Sequence, residues 1–201
     1  EEHGCVAVQK NRCVDCWAQR ITSIHYAYSC VSVESASRNI TVRECTYKEP
    51  ISTINGGLRY SFNLTGQLCL ITKCKSSEGR HDWVNGARVV GPNVFFDNYS
   101  EKGNSVSEPH HRWSTGTLFD NIVMANPNRG GATFEAINRN ESGSGHGWAG
   151  ANMVFWNNTS AVTIVSKPPT AQNFAVGVGS LMPTNEVEQS TDTTLVQANN
   201  M

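Results

Sequence analysis

Charge is scarce in this sequence, and neither sign dominates. Only 16% of the 201 residues are charged, and 16 Lys and Arg against 17 Asp and Glu give a formal net charge of −1. A protein that binds nucleic acid by neutralising phosphates needs an excess of basic residues. We therefore expect no nucleic-acid partner.

Long apolar runs are also missing. No stretch approaches the roughly 20 apolar residues that a membrane-spanning helix requires, so we expect no membrane span. The chain begins at Glu1 without a signal-peptide core, and we interpret it as a processed product or a fragment. Gly, with 17 residues, is abundant instead, as is Asn beside Gly, Ser or Thr. Because these residues favour turns, the composition argues against a helical bundle.

Six Asn-x-Ser/Thr sequons and seven cysteines indicate a secreted or cell-surface protein. The alternative is that a chain rich in Asn, Ser and Thr contains such triplets by chance. We expect glycans first at Asn39, Asn63 and Asn140. The remaining sequons are weaker candidates, and they begin at Asn158, Asn98 and Asn157.

A four-residue pattern recurs six times along the chain. Five of the six segments begin with an aliphatic residue or Phe, and each ends on Cys or Asn. Their last residues are separated by 29, 29, 24, 23 and 36 residues. The segments are CVDC, VREC, ITKC, FFDN, LFDN and VFWN, ending at positions 16, 45, 74, 98, 121 and 157.

Short apolar runs between Gly, Asn and Ser indicate stacked β-coils rather than helical repeats. We predict an all-β fold, a right-handed, single-stranded parallel β-helix of about seven coils that stack about 4.8 Å apart. It spans residues 1–182, and a polar tail follows at 183–201. The segment starts form one inward column and the segment ends a second column at a turn. The predicted columns are Val42, Ile71, Phe95, Leu118 and Val154, and Cys16, Cys45, Cys74, Asn98, Asn121 and Asn157.

The second column suggests disulfides, because residues on adjacent coils lie within the span that a disulfide tolerates. Cys45 is a candidate partner of Cys74 or of Cys16, and the alternative is a stack of buried free thiols. Cys5 and Cys30 are about one coil apart and form a second candidate pair.

Three stretches carry a resemblance to known proteins: residues 108–121 (EPHHRWSTGTLFDN), 143–157 (GSGHGWAGANMVFWN) and 168–177 (PPTAQNFAVG). Together they resemble the carboxy-terminal coils of a group of extracellular proteins in the pectin-lyase-like β-helix superfamily. The resemblance covers roughly residues 10 to 180 and implies the β-helix fold. The superfamily includes polysaccharide lyases, glycosidases and non-catalytic adhesins, so the resemblance implies no single function.

Two His-x-Trp segments, at 111–113 and 146–148, lie at matched distances from the column asparagines. We therefore expect His111 beside His146 on neighbouring coils. A polysaccharide lyase needs a base that removes the proton next to a uronate carboxylate, and a cation that stabilises the enolate. In this interpretation His146 or His111 is the base and Arg112 holds the carboxylate; the alternative is that these rings pack a turn. Further candidates for the same face are His110, Arg129 and Arg139.

Other kinds of site are less favoured. Asp97 and Asp120 are predicted to stack one coil apart as turn residues rather than as an acid pair or a calcium site. Cys13 and Cys16 have zinc-like spacing but no second matching pair, so we expect no metal and no cofactor. Aromatic residues at turns either bind sugars or pack against neighbouring turns, and these are Trp17, Tyr47, Trp83 and Tyr99.

Two functions of different class fit the sequence. The first is an extracellular, N-glycosylated structural or surface module, non-catalytic and carbohydrate-associated, which stacks head-to-tail with further copies into a fibre. The second is a polysaccharide lyase that acts on a uronate-containing polymer through the His/Arg face. The sequence slightly favours the first, because it lacks a lyase signature, a carboxylate cluster and a basic groove. In both cases the expected partner is a polysaccharide or a cell-surface glycan.

Overall fold

The computed structural model describes residues 3–128, 133–180 and 195–196, with only the backbone of 180, 195 and 196. Its strands are numbered β1 to β23 in chain order. The described residues contain one helical turn, α1 (Ser142–Gly145), and no helix long and apolar enough to span a membrane. All strand pairs are parallel, and one isolated bridge between Asn138 and Trp148 is antiparallel.

Successive strands enter three main sheets in rotation, and each later set of strands adds to the same sheets. The first sheet consists of β1 (Val6–Lys10), β4 (Ser29–Val33), β7 (Tyr60–Leu64), β10 (His81–Ala87) and β13 (Glu108–His111). The second consists of β2 (Val14–Gln19), β5 (Arg38–Arg43), β8 (Leu70–Thr72), β11 (Val90–Phe96), β14 (Ser114–Asp120), β18 (Val154–Trp156), β21 (Phe174–Val176) and β23 (Leu195–Val196), with β17 (Gly150–Ala151) also paired to β14.

The third sheet consists of β3 (Thr22–Ile24), β6 (Thr46–Lys48), β9 (Lys75–Ser77), β12 (Tyr99–Glu101), β15 (Val123–Ala125), β19 (Thr159–Ser160) and β22 (Gly179–Ser180). A fourth, smaller sheet pairs β16 (Thr133–Ala136) with β20 (Val162–Val165). The predicted all-β architecture of parallel sheets is confirmed, and it is compatible with a parallel β-helix. Of the predicted polar tail, 183–201, the described residues are those of β23, which extends the second sheet beside β21.

Left-handed residues mark the corner between the second and third sheets. In the described residues, seven connections lead from a strand of the second sheet to a strand of the third, and each contains one residue with φ between 50° and 61°. Asn, Asp and Gly adopt this conformation at low cost. The corner residues are Arg20, Glu44, Lys73, Asp97, Asn121, Asn157 and Gly177.

The predicted columns are wrong by one residue at the last two of the six segments, because the repeat pattern assigns the left-handed corner residue to the inward position. The buried residues there are Phe119 and Phe155 rather than Leu118 and Val154, which are half-buried. Asn121 and Asn157 are exposed corner residues, because Asn suits the left-handed turn better than the inward position beside it.

The true inward column of the second sheet is apolar throughout. The rings of Phe95, Phe119 and Phe155 stack at centroid distances of 5.1 and 4.8 Å. The column consists of Ala18, Val42, Ile71, Phe95, Phe119, Phe155 and Ala175, all buried.

An inward asparagine does occur where it was predicted at Asn98. Its Oδ1 accepts a hydrogen bond from the Cys74 amide at 2.9 Å, and its Nδ2 donates to the Ile71 carbonyl at 2.9 Å. Asn158 makes the equivalent bonds to Ile122 and Phe119. These side chains satisfy backbone groups that the bend leaves unpaired.

All seven cysteines are free thiols in the structure. Cys45 and Cys74 lie on adjacent coils as predicted, and the Cys45 amide donates to Cys74 Sγ at 3.5 Å. Cys16 lies outside this column, because it pairs with Ile40 in the second sheet. The predicted pairing of Cys5 with Cys30 is not formed in the structure.

Register separates that pair. Cys5 is exposed and its carbonyl accepts from the Tyr28 amide at 2.8 Å, whereas the Cys30 thiol is buried and interacts with the Cys45 thiol. Cys5 thus lies opposite Tyr28 rather than Cys30, and only Cys30 faces the core.

Candidate functional site

A group of titratable side chains lies close together on and beside strands of the first sheet. The rest of the buried core is mostly apolar. Strands β7 and β10 begin side by side with Tyr60 paired to His81, and β13 adds Glu108 and His110. We call the histidine cluster the set Tyr60, His81, Glu108, His110, Arg139 and His146.

Oxygen Oε1 of Glu108 is the centre of this cluster. It lies 2.5 Å from His110 Nδ1, 2.8 Å from Arg139 Nη1 and 3.3 Å from His81 Nδ1. Arg139 Nη1 also donates to the carbonyl of His110 at 2.8 Å. The Glu108 side chain is completely buried, whereas 18% of the Arg139 side chain is exposed. The arrangement suits a carboxylate that accepts from several N–H groups at once.

The other ring nitrogen of His110 faces two proton-bearing groups. Its Nε2 lies 3.1 Å from the Tyr60 hydroxyl and 3.3 Å from His146 Nε2. Nδ1 faces Glu108 Oε1, and Arg139 Nη1 also lies 3.0 Å from it, so we assign the Nδ1–H tautomer of His110 to the state in which Glu108 is ionised. Nitrogen Nε2 then carries a lone pair toward Tyr60 and His146, so His110 is oriented as a proton acceptor.

The predicted contact between His111 and His146 is confirmed, with ring centroids 4.9 Å apart. Neighbouring backbone bonds hold the two segments together, since the Arg112 amide donates to the His146 carbonyl at 3.0 Å. His146 follows a turn at Gly143, where a Cβ atom would meet the His146 ring at 2.0 Å. Only glycine therefore lets this turn approach the ring so closely.

The expected role of Arg112 is not supported. Its guanidinium donates to the carbonyl and to the hydroxyl of Ser144, at 2.9 and 2.6 Å, and so ties down the turn at α1. Arg139, a secondary candidate from the sequence, reaches the cluster instead, because it lies in the segment that hydrogen-bonds to Gly147. Arg129 lies outside the described residues.

Burial lowers the pKa values of the histidines in and beside the cluster and raises that of Glu108. Burial lowers the pKa of His110 to about 3, and the positive charges of Arg139 and Arg80 act in the same direction. Burial, then His110 and His146, lower the pKa of His111 to about 4, and burial also lowers that of His81. Burial raises the pKa of Glu108 to about 8, against the opposing charge of Arg139. Within the pair, Glu108 is therefore the preferred place for an additional proton.

Several buried polar atoms in and beside the cluster have no hydrogen-bond partner. They include His81 Nε2, Glu108 Oε2 and the Nδ1 atoms of His111 and His146. An unsatisfied buried polar atom costs about 1–3 kcal/mol. These unpaired atoms lower the stability of the fold. A buried group of titratable residues with shifted pKa values is typical of a functional site.

A metal ion is a poor occupant for this cluster. His81, Glu108 and His110 bring ligating atoms within 4.8 Å of one another. However, His81 Nδ1 donates to the Val106 carbonyl at 2.8 Å, and His110 Nδ1 is hydrogen-bonded to Glu108. A ring nitrogen that carries a proton cannot bind a metal. The Arg139 guanidinium occupies the remaining approach to Oε1.

The other predicted positions divide between surface and core. Asn39 and Asn140 are exposed, whereas Asn63 is only 5% exposed and its amide donates to Ser32 Oγ at 3.0 Å. A glycan on Asn63 Nδ2 has no room in this strand. Asn98 and Asn158 are buried as well.

Two of the aromatic side chains proposed for sugar binding are core residues. Tyr47 donates its hydroxyl to the Tyr26 carbonyl at 3.2 Å, and Trp83 stacks on Phe62 with centroids 5.1 Å apart. Trp17 is 66% exposed and Tyr99 is also exposed. The predicted stacking of Asp97 on Asp120 is wrong, because Asp120 pairs with Phe96, and Asp97 accepts from Asn121 Nδ2 instead.

Comparison with known protein families, with curated proteins and with solved structures gives no match for this chain. Sequence reasoning missed Tyr60, His81 and Glu108. The available signal was the run Arg80-His81-Asp82 at the start of β10. Glu108 gave no signal, because a single charged residue in a strand is normally expected on its exposed face.

Proposed function

We propose that the chain is a right-handed, pectin-lyase-like parallel β-helix of about seven coils that acts as a polysaccharide lyase on a uronate-containing polymer. The observation that carries this proposal is the orientation of His110. A buried carboxylate holds its Nδ1–H, while its free Nε2 faces the Tyr60 hydroxyl and His146. A base that is oriented through its second nitrogen is a recurrent catalytic arrangement.

The proposed reaction is a β-elimination. Nε2 of His110 removes the proton next to the substrate carboxylate, and the electron pair moves to form a double bond as the glycosidic C–O bond breaks. Tyr60 donates its hydroxyl proton to the departing oxygen. Burial raises the pKa of Tyr60, so the hydroxyl keeps its proton near neutral pH and suits the role of acid.

Glu108 compensates for the low proton affinity of His110. As Nε2 gains a proton, the proton on Nδ1 transfers to Glu108 Oε1, which lies 2.5 Å from Nδ1 and belongs to a carboxyl group whose pKa is about 8. Glu108 must therefore be ionised before the reaction. Arg139, whose side chain is partly exposed, supplies the positive charge that stabilises the enolate.

Product absorbance tests the proposal. Polymers of galacturonate, mannuronate and guluronate are incubated with the protein, and the ultraviolet absorbance of unsaturated ends is followed. We expect His110→Ala and Tyr60→Phe each to lower the rate by about 10²–10⁴-fold. The matched control is His25→Ala, since His25 is exposed and pairs with Glu49. Equal rates in His110→Ala and wild type would overturn the assignment.

A second candidate function is a secreted, N-glycosylated structural or surface module, carbohydrate-associated and stacking end to end into fibres. It is favoured by the exposed sequons at Asn39 and Asn140. Light scattering and negative-stain microscopy test it: filaments without lyase activity support this candidate, and a strictly monomeric protein contradicts stacking.

A further inference from the structure

We propose that Trp113, with Trp148 on the adjacent coil, forms a subsite that stacks on a pyranose ring of the polymer next to the reacting residue. The occupant rests on the proposed lyase function, since it is a further unit of the same uronate chain. The subsite itself rests on a separate set of observations at the corner after β13.

The two tryptophans flank the histidine cluster on neighbouring coils. The Trp113 amide donates to the Trp148 carbonyl at 2.8 Å, directly after the bond from the Arg112 amide to His146. Coils stack about 4.8 Å apart, so the two residues occupy adjacent rungs. Trp113 is two residues from His111, whose ring is 4.9 Å from that of His146.

The backbone at Trp113 is strained. Arg112 and Trp113 have φ values of 58° and 60°, and they are the only two consecutive non-glycine residues with positive φ in the described parts of the chain. A bulky residue in this conformation is a genuine outlier, and such strain clusters at binding and catalytic sites. Glycine would adopt the same turn without strain.

This turn leaves a large aromatic surface in solvent. Trp113 is 39% exposed, whereas Trp83, on an earlier coil, is completely buried in the core. An indole presents an apolar face to the C–H surface of a sugar and has a polar N–H for a hydroxyl. Trp113 lies between Arg112 and β14, so a sugar that stacks on its indole would lie between the histidine cluster and the second sheet.

Binding is measured in a full-length His110→Ala chain, which holds substrate without turning it over. The probes are four-residue oligomers of galacturonate, mannuronate and guluronate, titrated by calorimetry. We expect Trp113→Gly to weaken binding of the best probe by about tenfold or more, and Trp113→Phe to weaken it less, because a ring remains. The matched control is Ile24→Ala, which removes an apolar side chain of similar exposure, 41%, on the distant strand β3 and leaves the affinity unchanged.

Thermal unfolding of the same variants separates binding from folding. Because glycine relieves the strain, Trp113→Gly is expected to unfold at the same temperature as its parent or at a higher one. Unchanged affinity in Trp113→Gly overturns the subsite, as does a loss of stability that accounts for the weaker binding. Binding of no oligomer by the parent also overturns it. Trp113-dependent binding by a wild type that shows no elimination keeps the subsite and refutes only the lyase function.

Discussion

The apolar column of the second sheet and the histidine cluster of the first sheet differ in the polarity of the side chains that they bury. In the second sheet the inward residues from Ala18 to Ala175 are all apolar, and three of them are phenylalanines in contact. In the first sheet the rings of Tyr60, His81 and His110 instead meet edge to face, with centroids 4.8 and 4.7 Å apart.

The difference concerns hydrogen bonding and charge. The apolar column loses nothing when it leaves water, so its burial stabilises the fold. The histidine cluster buries nitrogens and a carboxylate oxygen without partners, so part of its packing is offset by desolvation. The apolar column of the second sheet thus stabilises the fold, as do Phe62 and Leu64 in the first sheet, whereas the proposed proton transfer belongs to the histidine cluster alone.

The largest expected effect is on stability, in the apolar column. Phe119→Ala removes a ring that contacts both Phe95 and Phe155, so we expect the free energy of unfolding to fall by about 3–5 kcal/mol. Chemical denaturation measures this change. Phe96→Ala is the control, because Phe96 is 39% exposed and its loss should cost far less. Similar losses at both positions would contradict the assignment of the column.

The next effect is on activity and its pH dependence. Because Glu108 must be ionised, kcat/KM should rise with pH through about 8, the pKa of this carboxyl group. Glu108→Gln should lower the rate at high pH by about 10–100-fold, as loss of an orienting partner does, and should abolish this rising limb.

Stability separates this role from a structural one. Glu108→Gln should leave the free energy of unfolding unchanged or higher, since it removes a buried carboxylate. An unchanged pH profile in Glu108→Gln would refute the role of Glu108, as would a large loss of stability.

Which of these features are visible in sequence depends on the type of residue. Phe95 and its neighbours were predictable because apolar residues recur at the coil spacing, and His111 and His146 because both belong to a His-x-Trp segment. The one-residue error at Leu118 and Val154 arose because Asn occupies either the inward position, as at Asn98, or the left-handed corner, as at Asn121. Glu108 and His81 come together only through coil stacking, which no local pattern records.

A smaller effect is expected at a buried carboxyl group inside the coils. Asp82 is completely buried, and burial raises its pKa against the hydrogen bonds from Ser76 and Ser61. The folded state therefore binds this proton more tightly than the unfolded state, so the contribution of Asp82 to stability is greatest at low pH. It falls as pH rises above about 4, the unfolded value, toward the folded pKa.

Asp82→Asn should flatten this decrease, by about 1.4 kcal/mol for each unit by which the pKa is raised. Denaturation at several pH values provides the measurement. Asp120→Asn, at a half-buried position in β14, should keep the wild-type dependence. An identical pH dependence in Asp82→Asn and wild type would show that Asp82 is not the responsible group.

The smallest effect on the fold is expected from glycans. After expression in a eukaryotic secretory host, glycopeptide mass spectrometry should find Asn39 and Asn140 occupied and Asn63, Asn98 and Asn158 empty, because the first two side chains are exposed and the other three are buried. Enzymatic removal of these glycans should leave the unfolding temperature nearly unchanged. A glycan on Asn63 would contradict the burial of β7.

The most direct test of the central claim is the mass of the chain ends that the protein creates in a uronate polymer. The proposed elimination through His110 and Tyr60 predicts unsaturated oligomers, each lighter by one water than the corresponding hydrolysis product, formed by wild type and His25→Ala but not by His110→Ala. Oligomers with the mass of hydrolysis products, or an intact polymer after incubation with wild type, would contradict the claim that the histidine cluster performs this proton transfer.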